Sequence, residues 1–77
     1  MPETSRFLTL ADVAEVLNTS SAQVYALVRR GELPAIKIGG RGQWRVERSR
    51  LEDYIAEQYR HAEQYVAEHP FVESEDR

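Results

Sequence analysis

The chain has 77 residues, which is enough for one small domain and a marginal hydrophobic core. It has no cysteine and only two histidines, His61 and His69, so neither a disulfide framework nor a thiolate or histidine metal site is expected, and no cofactor. The net charge of −3 is unevenly spread: residues 23–50 carry seven cations against two carboxylates, and residues 51–77 carry two against eight. A middle of +5 and a tail of −6 say more about partners than the sum does. No apolar run suits a signal peptide or a membrane span, so a soluble cytoplasmic protein, with no membrane partner, is expected.

Residues 1–6 read as an N-terminal tail, residues 7–69 as the folded domain, and residues 70–77 as an acidic flexible tail. Three helix starts are predicted by the same device, a hydroxyl residue followed three positions later by a carboxylate or amide. These are Thr9 with Asp12, Ser20 with Gln23, and Ser49 with Glu52. Leu8 and Val13 flank the first start as a hydrophobic staple would. The first helix shows Leu10, Val13, Ala14 and Leu17 on one face and is closed by Asn18, which tolerates a left-handed backbone. The second shows Val24, Leu27 and Val28 on one face and stops at Gly31, with Pro34 barring continuation.

Two such helices joined by about three residues cross steeply, as in a helix-turn-helix. Ala14 supplies the small residue at the crossing, Asn18 the turn, and Val24 the branched residue pointing back at the first helix. Next, Ile36 and Ile38 alternate with Lys37, and Trp44 and Val46 alternate with Gln43 and Arg45, around Gly39-Gly40-Arg41-Gly42. This spacing predicts a two-stranded β-hairpin with one apolar face, Trp44 inward, and a polar face carrying Lys37, Gln43 and Arg45. The third helix starts near Ser49 or Arg50 and carries the stripe Leu51, Tyr54, Ile55, Gln58, Ala62, Tyr65 and Val66 to about His69, before Pro70. The fold class expected is mainly α with a small hairpin: three helices plus a two-stranded wing.

The second helix turns Ala22, Ala26, Tyr25 and Arg29 outward, a low ridge flanked by donors suited to phosphates or base edges. Ser20 and Ser21 sit at its positive N-terminus, where phosphate is welcome. The basic hairpin, with Arg41 at its tip, suits a wing that tracks the backbone or enters the minor groove. Gln23 serves either its cap or a base. Arg30 lies nearer the flank, serving either the helix dipole or DNA. Arg48 and Arg50 serve either a phosphate or an ion pair with Glu52 or Asp53. The candidate DNA-binding set is therefore Ser20, Ser21, Gln23, Tyr25, Arg29, Arg30, Lys37, Arg41, Gln43 and Arg45.

Residues 8–55 resemble the excisionase-type helix-turn-helix family, related to the MerR-like winged helices. The most specific stretches are VYALVRRGELPAIKIG and WRVERSRLEDYI. The resemblance implies double-stranded DNA binding, as a small transcriptional regulator or an excisionase. It implies contacts from Ser21, Gln23, Tyr25 and Arg29 of the second helix and from Arg41 and Arg45 of the wing. No nucleophile–base pair, metal set or phosphate-cradling loop suggests an enzyme or a small-molecule ligand. The third helix extends its stripe further than a core this small requires. Tyr59, Ala62, Tyr65 and Val66 are therefore candidate interface residues, for self-association on DNA. The alternative function is a protein-interaction module docking a recombinase or RNA polymerase through that helix.

Overall fold

A computed structural model of the chain describes residues 5–70; residues 1–4 and the acidic segment 71–77 lie outside the described residues. The elements run β1 (Phe7–Leu8), α1 (Leu10–Leu17), α2 (Ser21–Arg29), β2 (Ile36–Ile38), β3 (Gln43–Glu47) and α3 (Arg48–Glu68). The three helices and the β2–β3 hairpin are those the sequence predicts.

α1 begins with a complete capping box. Thr9 Oγ1 accepts from the Asp12 amide at 3.0 Å, and Asp12 Oδ2 accepts from the Thr9 amide at 3.2 Å. Leu8 and Val13, on either side of that cap, are both fully buried, which fixes the angle at which the chain enters the helix. α1 ends at Asn18, whose backbone is left-handed (φ 56°, ψ 49°). The reversal lets the Asn18 amide bond Glu15 O at 3.2 Å and the Thr19 amide bond Ala14 O at 2.9 Å.

α2 ends the same way with the residue better suited to it. Gly31 takes φ +78°, and the amides of Gly31 and Glu32 return to Val28 O at 3.0 Å and Leu27 O at 2.9 Å. This turn drops Leu33 into the core at zero exposure. The core consists of Leu8, Val13, Ala14, Val24, Val28, Leu33, Val46 and Leu51, with Leu10, Leu17, Leu27, Trp44, Tyr54 and Ile55 packed around it. α1 lies at its centre, against α2 on one side and β1 and β3 on the other.

Three features differ from the sequence expectation. The sheet has three strands in the order β1-β3-β2, because Leu8 pairs with Val46 and Phe7 with Glu47. A two-residue strand leaves no period to read; tertiary pairing alone makes it. The pairing is clamped by Arg48, whose amide donates to Arg6 O at 2.7 Å and whose Nε donates to Ser5 O at 2.8 Å.

That clamp also moves the start of α3. The helix begins at Arg48 after Glu47, with no side-chain cap, so Ser49 lies inside the first turn and does not cap it. The Arg48 amide finds a backbone acceptor in Arg6, just before β1, which satisfies one of the donors left without a partner at the helix start.

The third difference is the hairpin register. Ile36 pairs with Arg45, Lys37 with Trp44 and Ile38 with Gln43. Directly paired residues in antiparallel strands share a face. The two isoleucines therefore share a face with Gln43 and Arg45 and are 50% and 45% exposed, not joined with Trp44 and Val46 in one apolar face. Lys37 is likewise separated from Gln43 and Arg45 and lies over the Trp44 ring, 5.1 Å from its centroid. The cause is the loop. Four residues lie between the paired Ile38 and Gln43, and an even loop matches even-numbered positions with odd ones. The turn closes through the Gly42 amide on Gly39 O at 3.0 Å, with Gly42 at φ +63° and Lys37 Cδ only 3.3 Å from where a β-carbon would stand.

Candidate nucleic-acid interface

α2 is held by its inner edge and free on its outer one. Val24 is fully buried and Val28 nearly so against α1, fixing both the rotation and the tilt of the helix. Its first turn is organised by Ser20, whose Oγ accepts from the Gln23 amide at 3.1 Å. Among the described residues no bond returns from the Gln23 side chain to the Ser20 amide, so this cap is half a box. The Ser20 and Ser21 side chains are exposed at the helix's positive end.

On the outer edge Ala22, Tyr25 and Arg29 are exposed, while Ala26 is half-buried between its longer neighbours. The Arg29 guanidinium lies over the Tyr25 ring, 6.0 Å from its centroid, and has no anionic partner among the described residues. That leaves its donors available at the end of a one-turn-wide ridge.

Gln23 and Arg30 are on a different side. With Leu17, Thr19, Leu27, Tyr54 and Gln58 they line a groove between α2 and α3. Arg30 is also engaged: its Nε donates to Glu32 Oε2 at 3.0 Å and Nη2 to Oε1 at 3.4 Å. The hydrogen bond from Arg30 holds the Glu32 carboxyl below the ordinary carboxylate range, and the same bond raises Arg30 further. The sequence placed these residues on α2 but could not say which neighbour they would face.

The wing cations divide three ways. Arg41 is exposed at the glycine tip with no partner among the described residues. Arg45 folds back along its own strand, donating from Nη1 to Trp44 O at 2.8 Å and from Nη2 to Gln43 Oε1 at 3.2 Å. Lys37 covers Trp44 on the opposite face. Trp44 itself packs against the core, as its inward placement required.

Arg48 serves the β1 clamp, and among the described residues no ion pair joins Arg50 to Glu52 or Asp53. The candidate interface residues on α3, Tyr59, Ala62, Tyr65 and Val66, are all exposed, and Tyr59 and Ala62 line a groove with Leu17 of α1. The histidines are on this same outlying stretch, His61 Nε2 3.0 Å from Glu57 and His69 stacked on Tyr65 at 4.1 Å. No helix among the described residues is long and apolar enough to cross a membrane.

Sequence comparison agrees with this architecture. Two proteins of Mycobacterium tuberculosis, "Putative DNA-binding protein MT0521" of strain CDC 1551 / Oshkosh and "Putative DNA-binding protein Rv0500A" of strain H37Rv, are each 36% identical to the chain over 55 residues. The match covers 71% of this chain and 68% of each relative. No solved structure matches the chain significantly. A family model described as a helix-turn-helix domain matches residues 7–59, from β1 through the core-facing half of α3, and the chain belongs to that helix-turn-helix domain family.

Proposed function

We propose that this protein binds double-stranded DNA sequence-selectively, with α2 in the major groove and the β2–β3 wing on the adjacent backbone or minor groove. It would act as a small transcriptional regulator or an excisionase, roles that use one motif. The observation that carries the reading is the outer edge of α2. Ala22, Tyr25 and Arg29 form an exposed ridge with an unpaired cation, on a helix whose inner edge is locked to α1. A ridge of small residues lets a helix approach base edges, and Arg29 and Tyr25 supply donors there. Arg41 at the wing tip adds a second unpaired cation, and Arg45 needs to exchange only internal hydrogen bonds to reach a phosphate.

The test is selection of bound fragments from sheared genomic DNA, with an Arg29→Ala/Arg45→Ala double variant alongside. The expected result is a few enriched sites sharing a short repeat, lost in the variant. Their position at promoters or at attachment sites distinguishes regulator from excisionase. Equal, unenriched recovery by both proteins would refute direct binding. The exposed distal part of α3 favours a second reading, docking of a recombinase or polymerase; charge reversal at Arg29 and Arg45 would leave such docking intact.

A further inference from the structure

The loop that parts the wing's isoleucines from Trp44 also parts its cations. Arg45 shares the outer face with Ile36, Ile38 and Gln43, whereas Lys37 lies directly opposite Trp44 on the inner one. Trp44 packs on the core that Val24 and Val28 of α2 help to form, so the inner face is the side of the wing turned toward the helices. Lys37 is exposed there, and no carboxylate pairs with it among the described residues.

Its side chain is nevertheless held. The Nζ atom lies 5.1 Å from the centroid of the Trp44 ring, within the range of cation–π attraction. The stem passes Gly42 so closely that a β-carbon there would stand 3.3 Å from Lys37 Cδ. Trp44 is fixed in turn by the core, so a rigid ring carries a flexible chain. A free lysine must order its rotors on binding, which opposes affinity, and one already held on a ring loses less.

We propose that Trp44 is a positioning residue, holding Lys37 toward the phosphate strand that runs between α2 and the wing. The inference rests on the DNA-binding reading. A helix in one groove and a wing on the adjacent backbone or groove have a phosphodiester strand between them, and the wing face turned toward the helices is the face turned toward that strand. Arg45, on the far face, meets other phosphates. A compact ammonium suits a phosphate oxygen and reads no base, so Lys37 contributes affinity and register, and sequence selection stays with α2.

Anisotropy titration of a fluorescent mixed-sequence duplex of about 20 base pairs, at roughly 50 to 200 mM salt, tests it. Lys37→Met keeps an apolar stem on the ring and removes the charge. It should bind roughly eightfold more weakly at ~0.1 M salt, with the slope of log affinity on log salt smaller by about 0.9, the value of one phosphate. Arg60→Met, which removes a cation paired with Glu57 on α3, should leave the slope unchanged. Trp44→Leu should lower affinity about threefold at unchanged slope, since the contact still forms but must first be ordered. Beside Lys37→Met it should lower nothing further, and Trp44→Phe should restore most of the affinity. In the free wild type the Lys37 ε-methylene protons should be shifted upfield by the indole ring current, a reading that needs no variant to fold.

A Lys37→Met slope equal to that of a wild type that binds overturns the proposal and leaves the DNA-binding reading standing. So does an equal change of slope in Arg60→Met, or unshifted Lys37 protons. A Trp44→Leu loss that persists beside Lys37→Met marks a merely structural tryptophan and overturns it too. A wild type with no affinity for the duplex overturns both.

Discussion

Asn18 and Gly31 do the same work at the ends of α1 and α2, since each reverses the chain through a left-handed backbone that returns two amides to the helix they close. Glycine takes that conformation freely. Asparagine tolerates it, and other residues resist it because Cβ crowds the carbonyl. Asn18→Ala should therefore cost about 1 kcal/mol in a urea titration, and Asn18→Gly should be close to neutral. A larger loss in the glycine variant would mean that the Asn18 side chain itself carries the turn. At the same scale the candidate DNA residues separate by what already occupies them. Arg29 and Arg41 have no anionic partner among the described residues, whereas Arg30 holds Glu32 and Arg45 holds its own strand.

Among the elements, α3 divides in two at about Tyr59. Its first part closes the core with Leu51 and continues β3 without a loop; its second part is exposed throughout, with Tyr59 and Ala62 lining a groove beside Leu17 and buried no further. The Glu57–Arg60 ion pair, the Glu57–His61 contact and the Tyr65–His69 ring stack tie the exposed turns to one another, an intrahelical support worth only tenths of a kcal/mol each. Ending the chain after His61 should thus change unfolding free energy at low protein concentration by about 0.5 kcal/mol or less. A loss of several kcal/mol would show that the outlying turns support the core after all. The wing makes the complementary point about local sequence. Its isoleucines and Trp44 have the alternation of one apolar face in each strand, yet the four-residue loop puts those faces on opposite sides of the hairpin.

Across the whole molecule, a net charge of −3 conceals a separation of sign. The segment that builds α2, the wing and the start of α3 is net +5. The segment from Leu51 onward is net −6, and five of its eight carboxylates are on α3. If four to six cations meet phosphates, log affinity for duplex DNA should fall with log salt at a slope of about −4 to −5. A slope near zero in a filter-binding or anisotropy titration would contradict a phosphate-tracking wing.

The sequence by itself determined what is local. The caps at Thr9 and Ser20, the reversals at Asn18 and Gly31, the core faces of α1 and α2, and the stripe of α3 were all legible, because each depends on residues within a turn of one another. The helix-turn-helix followed from them, since Ala14 and Val24 leave few ways for two short helices to meet. Only the tertiary structure decided the rest. Phe7–Leu8 becomes a strand because β3 is there to pair with it, and Arg48 rather than Ser49 opens α3 because the Arg48 amide finds its acceptor in Arg6, next to that strand. Gln23 and Arg30 turn to the α3 groove because Val24 and Val28 fix the rotation of α2. The wing's faces could have been found by counting its loop. The others could not, because their partners are some twenty to forty positions away along the chain, and periodicity carries no signal across that distance.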